Sequence, residues 1–141
     1  MNKLLNVSFI PKSSDLGLLV LRLFISVSMF LNHGLDKFTN FSSTVKMFGN
    51  PMMDVLHLGG GITATLVVLA ELLCSALIAL GVATRLAALI FSINMVVAFL
   101  GVHHGSFAPG PHSGELAYLY LGASLTLLFA GSGRFAVSKS E

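Results

Sequence analysis

Charge is what this chain has least of: 10% of its 141 residues are Asp, Glu, Lys or Arg, against about 25% in an ordinary soluble domain. So few charges cannot cover the surface of a water-soluble globule of this size. The net charge of +2 offers no basic patch for a phosphate backbone, which excludes a nucleic-acid partner. Cysteine occurs once, as Cys74, which removes disulfide frameworks, Cys-x-x-Cys redox pairs and thiolate zinc sites. In its apolar run Cys74 reads as an inert packing residue. Tryptophan is absent, so phenylalanine has to take much of the interfacial role. Disorder is excluded by 55% hydrophobic residues and a mean hydropathy of +0.87. An integral membrane protein is what remains.

The apolar sequence that is present falls into four blocks, 16–33, 62–81, 85–103 and 115–131. Each approaches the roughly 20 residues that a helix needs to cross a bilayer core. None shows the period-two alternation of an outer-membrane barrel strand. The expected fold is therefore all-α: one membrane domain over 1–141, a four-helix bundle with the N-terminus retained rather than cleaved. With both termini inside, Lys3, Lys12, Arg85, Arg134 and Lys139 lie on the inner side and Lys37 and Lys46 on the outer side. That imbalance supports N-in, C-in topology. In the outer segment Phe38, Phe41, Val45 and Phe48 recur at three- and four-residue steps, which predicts a short interfacial amphipathic helix. Asn50-Pro51 predicts the start of a further short helical element that ends at Gly59-Gly60-Gly61.

Ionisable groups within a membrane segment are costly, and they default to functional candidates. Arg22 and Glu71 fall inside predicted helices, with Asn94 midway along the third. These three form a candidate polar centre, and an Arg22–Glu71 pair is the economical way to bury both charges. All five histidines, His33, His57, His103, His104 and His112, fall at the expected outer side. Glu115 opens the fourth helix, with Tyr118 and Gly122 continuing its face. A ligand pocket lined by His33, Lys37, His104, Glu115 and Tyr118 is expected there. Imidazole and carboxylate near an apolar pocket suit a quinone headgroup. A bis-histidine haem between His33 and His104 would need ligands deeper in the helices. No His-x-x-x-His or Glu-x-x-His spacing places two metal ligands on one helix face, so no metal residues are assigned. The bland alternative is that these side chains only satisfy helix ends and loops.

Gly17-Leu18-Leu19-Val20-Leu21-Arg22-Leu23, followed by His33-Gly34-Leu35-Asp36-Lys37-Phe38, resembles the first-helix signature of the DoxX family. Ala70-Glu71-Leu72, Gly81-Val82-Ala83-Thr84-Arg85-Leu86, Gly114-Glu115-Leu116-Ala117 and Gly131-Ser132-Gly133-Arg134-Phe135 continue the likeness, which spans residues 15–135. The resemblance implies a small four-helix protein of a bacterial or archaeal plasma membrane, associated with respiratory or sulfur redox chemistry. It points to Arg22, His33, Lys37, Glu71, Arg85 and Glu115. The expected function is a redox-associated subunit, quinone- or sulfur-linked, working in the lipid bilayer with other membrane or exported oxidoreductase subunits. The rival is a non-enzymatic assembly subunit, with a small-solute transporter third. Gly122-x-x-x-Thr126 is a candidate homodimer contact. His103-His104 and Pro109-Gly110-Pro111-His112 fall outside the family pattern and leave the substrate open.

Overall fold

Ser13 starts the first helix: its hydroxyl accepts the Leu16 N–H at 3.2 Å, and Asp15 places a negative charge in the first turn. In this computed structural model, which describes residue 7 and residues 9–138, that helix (α1) is Ser14–Thr39. A short amphipathic helix follows, α2, Phe41–Phe48. Then come α3, Gly60–Leu80, α4, Thr84–Val102, and α5, Glu115–Ala130. The described residues contain no strand. Lys3 and Lys139, used above for orientation, lie outside them.

The helices α1, α3 and α4 are long and apolar enough to cross a membrane, and α5 is shorter and equally apolar in character. Their outward faces stay uncovered: Phe24 is 75% and Phe129 80% exposed, with Leu86, Leu100 and Leu119 also standing free. Such a belt would be an aggregation hazard in water and is the ordinary surface of a protein in lipid. The interior is built instead from small and medium side chains, with Ala64, Ala87, Ala88, Ile78, Phe91 and Leu127 almost fully buried.

Small residues let the backbones approach. At Gly34 of α1 an added methyl would lie 2.7 Å from the Glu71 carbonyl oxygen on α3, so only hydrogen fits. The turn between α3 and α4 closes with Gly81 in the left-handed region (φ 73°) and Val82 N–H reaching back to the Leu77 carbonyl at 2.9 Å. Helices α4 and α5 are stapled by a buried Ser92–Ser124 hydroxyl pair at 2.8 Å and by Arg85 Nε donating to the Leu128 carbonyl at 3.0 Å. The chain after α5 returns across the same end: Val137 N–H donates to the Leu80 carbonyl at 3.0 Å, and Arg134 N–H to Asp15 at 3.0 Å.

Two expectations change. Helix α1 does not stop at residue 33 but continues to Thr39, which brings Lys37 inside the helix and makes His33 internal to it. Asn50-Pro51 starts a single turn and not a helix: Asn50 accepts the Met52 N–H on its side chain (3.0 Å) and the Met53 and Asp54 N–H groups on its carbonyl, as an N-cap does, but the turn stops at Asp54. Of the amphipathic face, Phe48 is buried, while Phe38 and Phe41 remain exposed.

Gly34→Ala should lower the thermal midpoint in detergent, at a cost of about 1–3 kcal/mol for forcing two backbones apart. Gly17→Ala, with open space around it, is the control and should leave the midpoint unchanged or slightly raised. Equal midpoints for Gly34→Ala and wild type would show that α1 and α3 do not meet there.

Candidate functional site

Three helices widen for one turn beside one cavity. In α1 the Leu35 N–H bonds five residues back to Phe30, in α3 Cys74 bonds to Leu69, and in α4 His103 bonds to Ala98. These π-turns wind less per residue than an α-helix, in which each four-residue step drifts about 40° around the axis. The drift is thereby reduced, and residues at four-residue steps stay on one face. Met29, His33 and Lys37 of α1, and Thr63, Val67 and Glu71 of α3, all face one cavity.

That cavity has a volume of about 310 Å³. Helices α4 and α5 supply Asn94, Met95, Ala98, Ala117 and Tyr120, while Met47, Phe48, Met53 and Val55 close it from the α2 side. Its walls are mainly apolar, with Thr63, His103 and Ser113 as scattered polar groups and the charged ones gathered at one corner. There the Lys37 ammonium meets the Glu71 carboxylate at 2.5 Å, and the Asn94 amide donates to the other Glu71 oxygen at 3.5 Å. His33 stands beside this pair, edge-on to the Tyr120 ring at 6.4 Å between centroids. The Tyr120 hydroxyl shares a 2.6 Å hydrogen bond with Ser28. Four methionines, Met29, Met47, Met53 and Met95, line the same space and give it an adaptable wall.

The roof is held by Asp54. Its carboxylate accepts the Thr63 hydroxyl at 2.6 Å and the backbone N–H groups of Gly59 and Leu58 at 2.7 and 3.1 Å. The Thr63 hydroxyl, with these amides, holds the Asp54 carboxyl below the usual carboxylate range. Because Thr63 is itself a wall of the cavity, this knot ties the roof to the start of α3.

The structure brings together Glu71, Asn94, His33 and Lys37, and it gives Glu71 a different cation from the expected one. Arg22 is fully buried, but it donates to the Phe135 carbonyl at 2.8 Å and lies against Gly81 at the far end of α3. Gly34 marks the level of Glu71, so Arg22 lies about 18 Å away along α1. Lys37 takes the place assigned to Arg22 because α1 continues past His33. His104 and Glu115 are exposed and do not line the cavity; His103 does. His33 and His104 are therefore not brought to a common haem position. Tyr118 packs with Phe99 and Phe107 in an outer ring cluster, at 5.4 and 5.1 Å. Among the described residues no three His, Cys, Asp or Glu side chains converge as a metal site. Sequence reasoning missed Tyr120, the methionines and the Asp54 knot. Only Met29 at a four-residue step from His33 offered a signal.

An apolar helical surface around a part-buried ion pair defines a membrane protein with a polar centre and a lipophilic cavity. The chain belongs to the DoxX family, whose pattern it matches over residues 17–104. It is 30% identical over 121 residues to a Bacillus subtilis (strain 168) protein named "Putative oxidoreductase CatD", covering 86% of this chain and 84% of that one. It is also 33% identical over 113 residues to an uncharacterized protein of Haemophilus influenzae, covering 77% and 79% of the two chains. No solved structure matches it significantly.

Two outcomes check the site. Lys37→Met leaves a buried carboxylate without its cation and should cost about 3–5 kcal/mol, whereas Lys37→Met with Glu71→Leu should recover most of that loss. Additive losses in the double variant, by denaturant titration, would mean that the two groups do not interact. The second concerns pH. A folded-state pKa below the unfolded value means that Asp54 stabilises above the unfolded carboxylate pKa of about 3.9, and that this contribution is lost as pH falls through the folded value. Asp54→Asn should therefore lower the thermal midpoint at neutral pH, with the gap to wild type closing in acid. A gap that does not depend on pH would contradict this account.

Proposed function

We propose that the protein is a redox-associated subunit of a bacterial or archaeal plasma membrane, and that its cavity binds the headgroup of a quinone. All four apolar helices span the bilayer, with the end carrying the termini inside and α2 at the outer interface. The observation that carries the reading is the cavity's division into long apolar walls and one polar corner. A volume of about 310 Å³ lies at the lower end of the range for small-molecule sites. It suits a ring and the start of an isoprenoid tail, with the remaining tail passing between helices into lipid.

A quinone presents two carbonyl oxygens and no donor, so it needs hydrogen-bond donors set in an apolar slot. The Lys37 ammonium, the Asn94 amide and the Tyr120 hydroxyl are the donors at the corner, with His33 beside them. Glu71 holds Lys37 and Asn94 in place. As the ring enters, Lys37 can exchange part of its bond to Glu71 for one to the ligand oxygen. The Met29, Met47, Met53 and Met95 side chains adapt to the ring and exclude water. Membership of a family with a relative named as an oxidoreductase supports the redox assignment. Electrons would reach the ligand from a partner subunit.

Calorimetric titration of the detergent-purified protein with a short-chain ubiquinone should show saturable binding. Glu71→Gln should weaken it about tenfold, the effect of one lost charge-assisted hydrogen bond. His103→Ala should weaken it as well, and His104→Ala, being exposed outside the cavity, should not. Identical isotherms for wild type and Glu71→Gln would overturn the proposal. A protein that binds no quinone and co-purifies in fixed ratio with a partner subunit would point to an assembly role.

A further inference from the structure

The interior below Glu71 is not uniformly apolar. One turn further along α3, Ser75 is fully buried and its hydroxyl has no hydrogen-bond partner. Across the α1–α3 seam Ser26 is equally buried and equally unpartnered. Both residues line the same crevice, with Phe30, Ala76 and Ala79. At the terminal end Thr84, the first residue of α4, is a third buried hydroxyl without a partner. Arg22, one turn before Ser26, is held there on the Phe135 carbonyl.

Buried hydroxyls almost always have partners, and one unpartnered among protein groups is the usual mark of an internal water. The spacing suits that account. Residues four apart on a helix are separated by about 6 Å along the axis. A water bridging two hydroxyls spans two hydrogen bonds of about 2.8 Å each. On α3 one water would therefore join Glu71 to Ser75; Ser26 lines the same crevice as Ser75, and Thr84 stands at the terminal end of the route.

We infer that Ser75, Ser26 and Thr84 carry a chain of internal waters that delivers protons from the inner aqueous phase to the Glu71 carboxylate. Each step breaks one O–H bond and forms the next along the chain. The last proton forms an O–H bond on Glu71, neutralises it and releases Lys37. No electrons move, and no other reactant is needed. Lys37 is the lock: it holds Glu71 at 2.5 Å and occupies the oxygen to which the chain leads. Glu71 also faces the cavity, so the chain ends where a ligand would be reduced or oxidised. The route itself does not require that a quinone binds there.

The test uses the whole protein in vesicles of phosphatidylcholine and phosphatidylglycerol, without quinone, with a trapped pH dye and a potassium diffusion potential. Lys37→Met should admit protons faster than wild type and faster than protein-free vesicles. Adding Ser75→Val to Lys37→Met should cut that flux about tenfold, the rate equivalent of roughly 1.4 kcal/mol, about one lost hydrogen bond. Equal flux in Lys37→Met with and without Ser75→Val would overturn the inference, as would a Lys37→Met flux no greater than that of protein-free vesicles. A second measurement avoids Lys37→Met altogether. Radiolytic hydroxyl-radical labelling of the wild type should oxidise Ile78, which is 1% exposed and one turn beyond Ser75 on α3, and Ser75→Val should lower that labelling. An unlabelled Ile78 in the wild type would overturn the water chain.

Discussion

Burying the Lys37–Glu71 pair in an apolar assembly is the constraint around which the rest is arranged. An isolated charge in such a place costs several kcal/mol, and a pair is tolerated only with good geometry and further hydrogen bonds. The structure meets these conditions from several elements. Gly34 lets α1 approach the backbone of α3 at Glu71, and Asn94 reaches from α4 to the second carboxylate oxygen. The π-turns hold His33, Lys37 and Glu71 towards the same space. A widened turn forfeits regular helical bonding, and here three of them occur around the cavity.

The two ends of the molecule are built differently. The terminal end is tied by backbone: Arg22 on the Phe135 carbonyl, Val137 on Leu80, Arg134 on Asp15, and the left-handed closure at Gly81. The α2 end is tied by the Asp54 knot and by packed rings, and it encloses a space rather than filling it. The base is tied by backbone bonds, and the chamber beside it is lined by four methionines. The unpartnered hydroxyls of Ser26 and Ser75 lie between the two, in the α1–α3 seam, and that of Thr84 lies at the terminal end.

Much of the fold was legible from charge scarcity. A long uncharged run has few stable forms in lipid apart from a helix, so the positions of the apolar helices followed from composition and hydropathy. The site was legible only in part. Glu71 and Asn94 were marked by being polar within apolar runs, but their partner was misassigned. A uniform 100° period, with α1 ending at His33, left Lys37 outside the helix and made Arg22 the nearest cation. The π-turn and the continuation to Thr39 changed that. His104 and His103 are adjacent and equivalent in a hydropathy plot, yet the backbone turns one towards the cavity and the other, at φ 51°, towards the exterior.

The sequence by itself determined the solvent this protein folds for, its helical class and its DoxX membership, because all three depend on composition and on motifs in fixed order. Only the tertiary structure decided which cation meets Glu71, which histidine enters the cavity, and that Tyr120 and not Tyr118 faces it. Those outcomes depend on one extra residue in a helical turn and on how closely two backbones approach at Gly34. Neither leaves a signature in hydropathy, because a π-turn changes the direction of side chains without changing which residues are apolar.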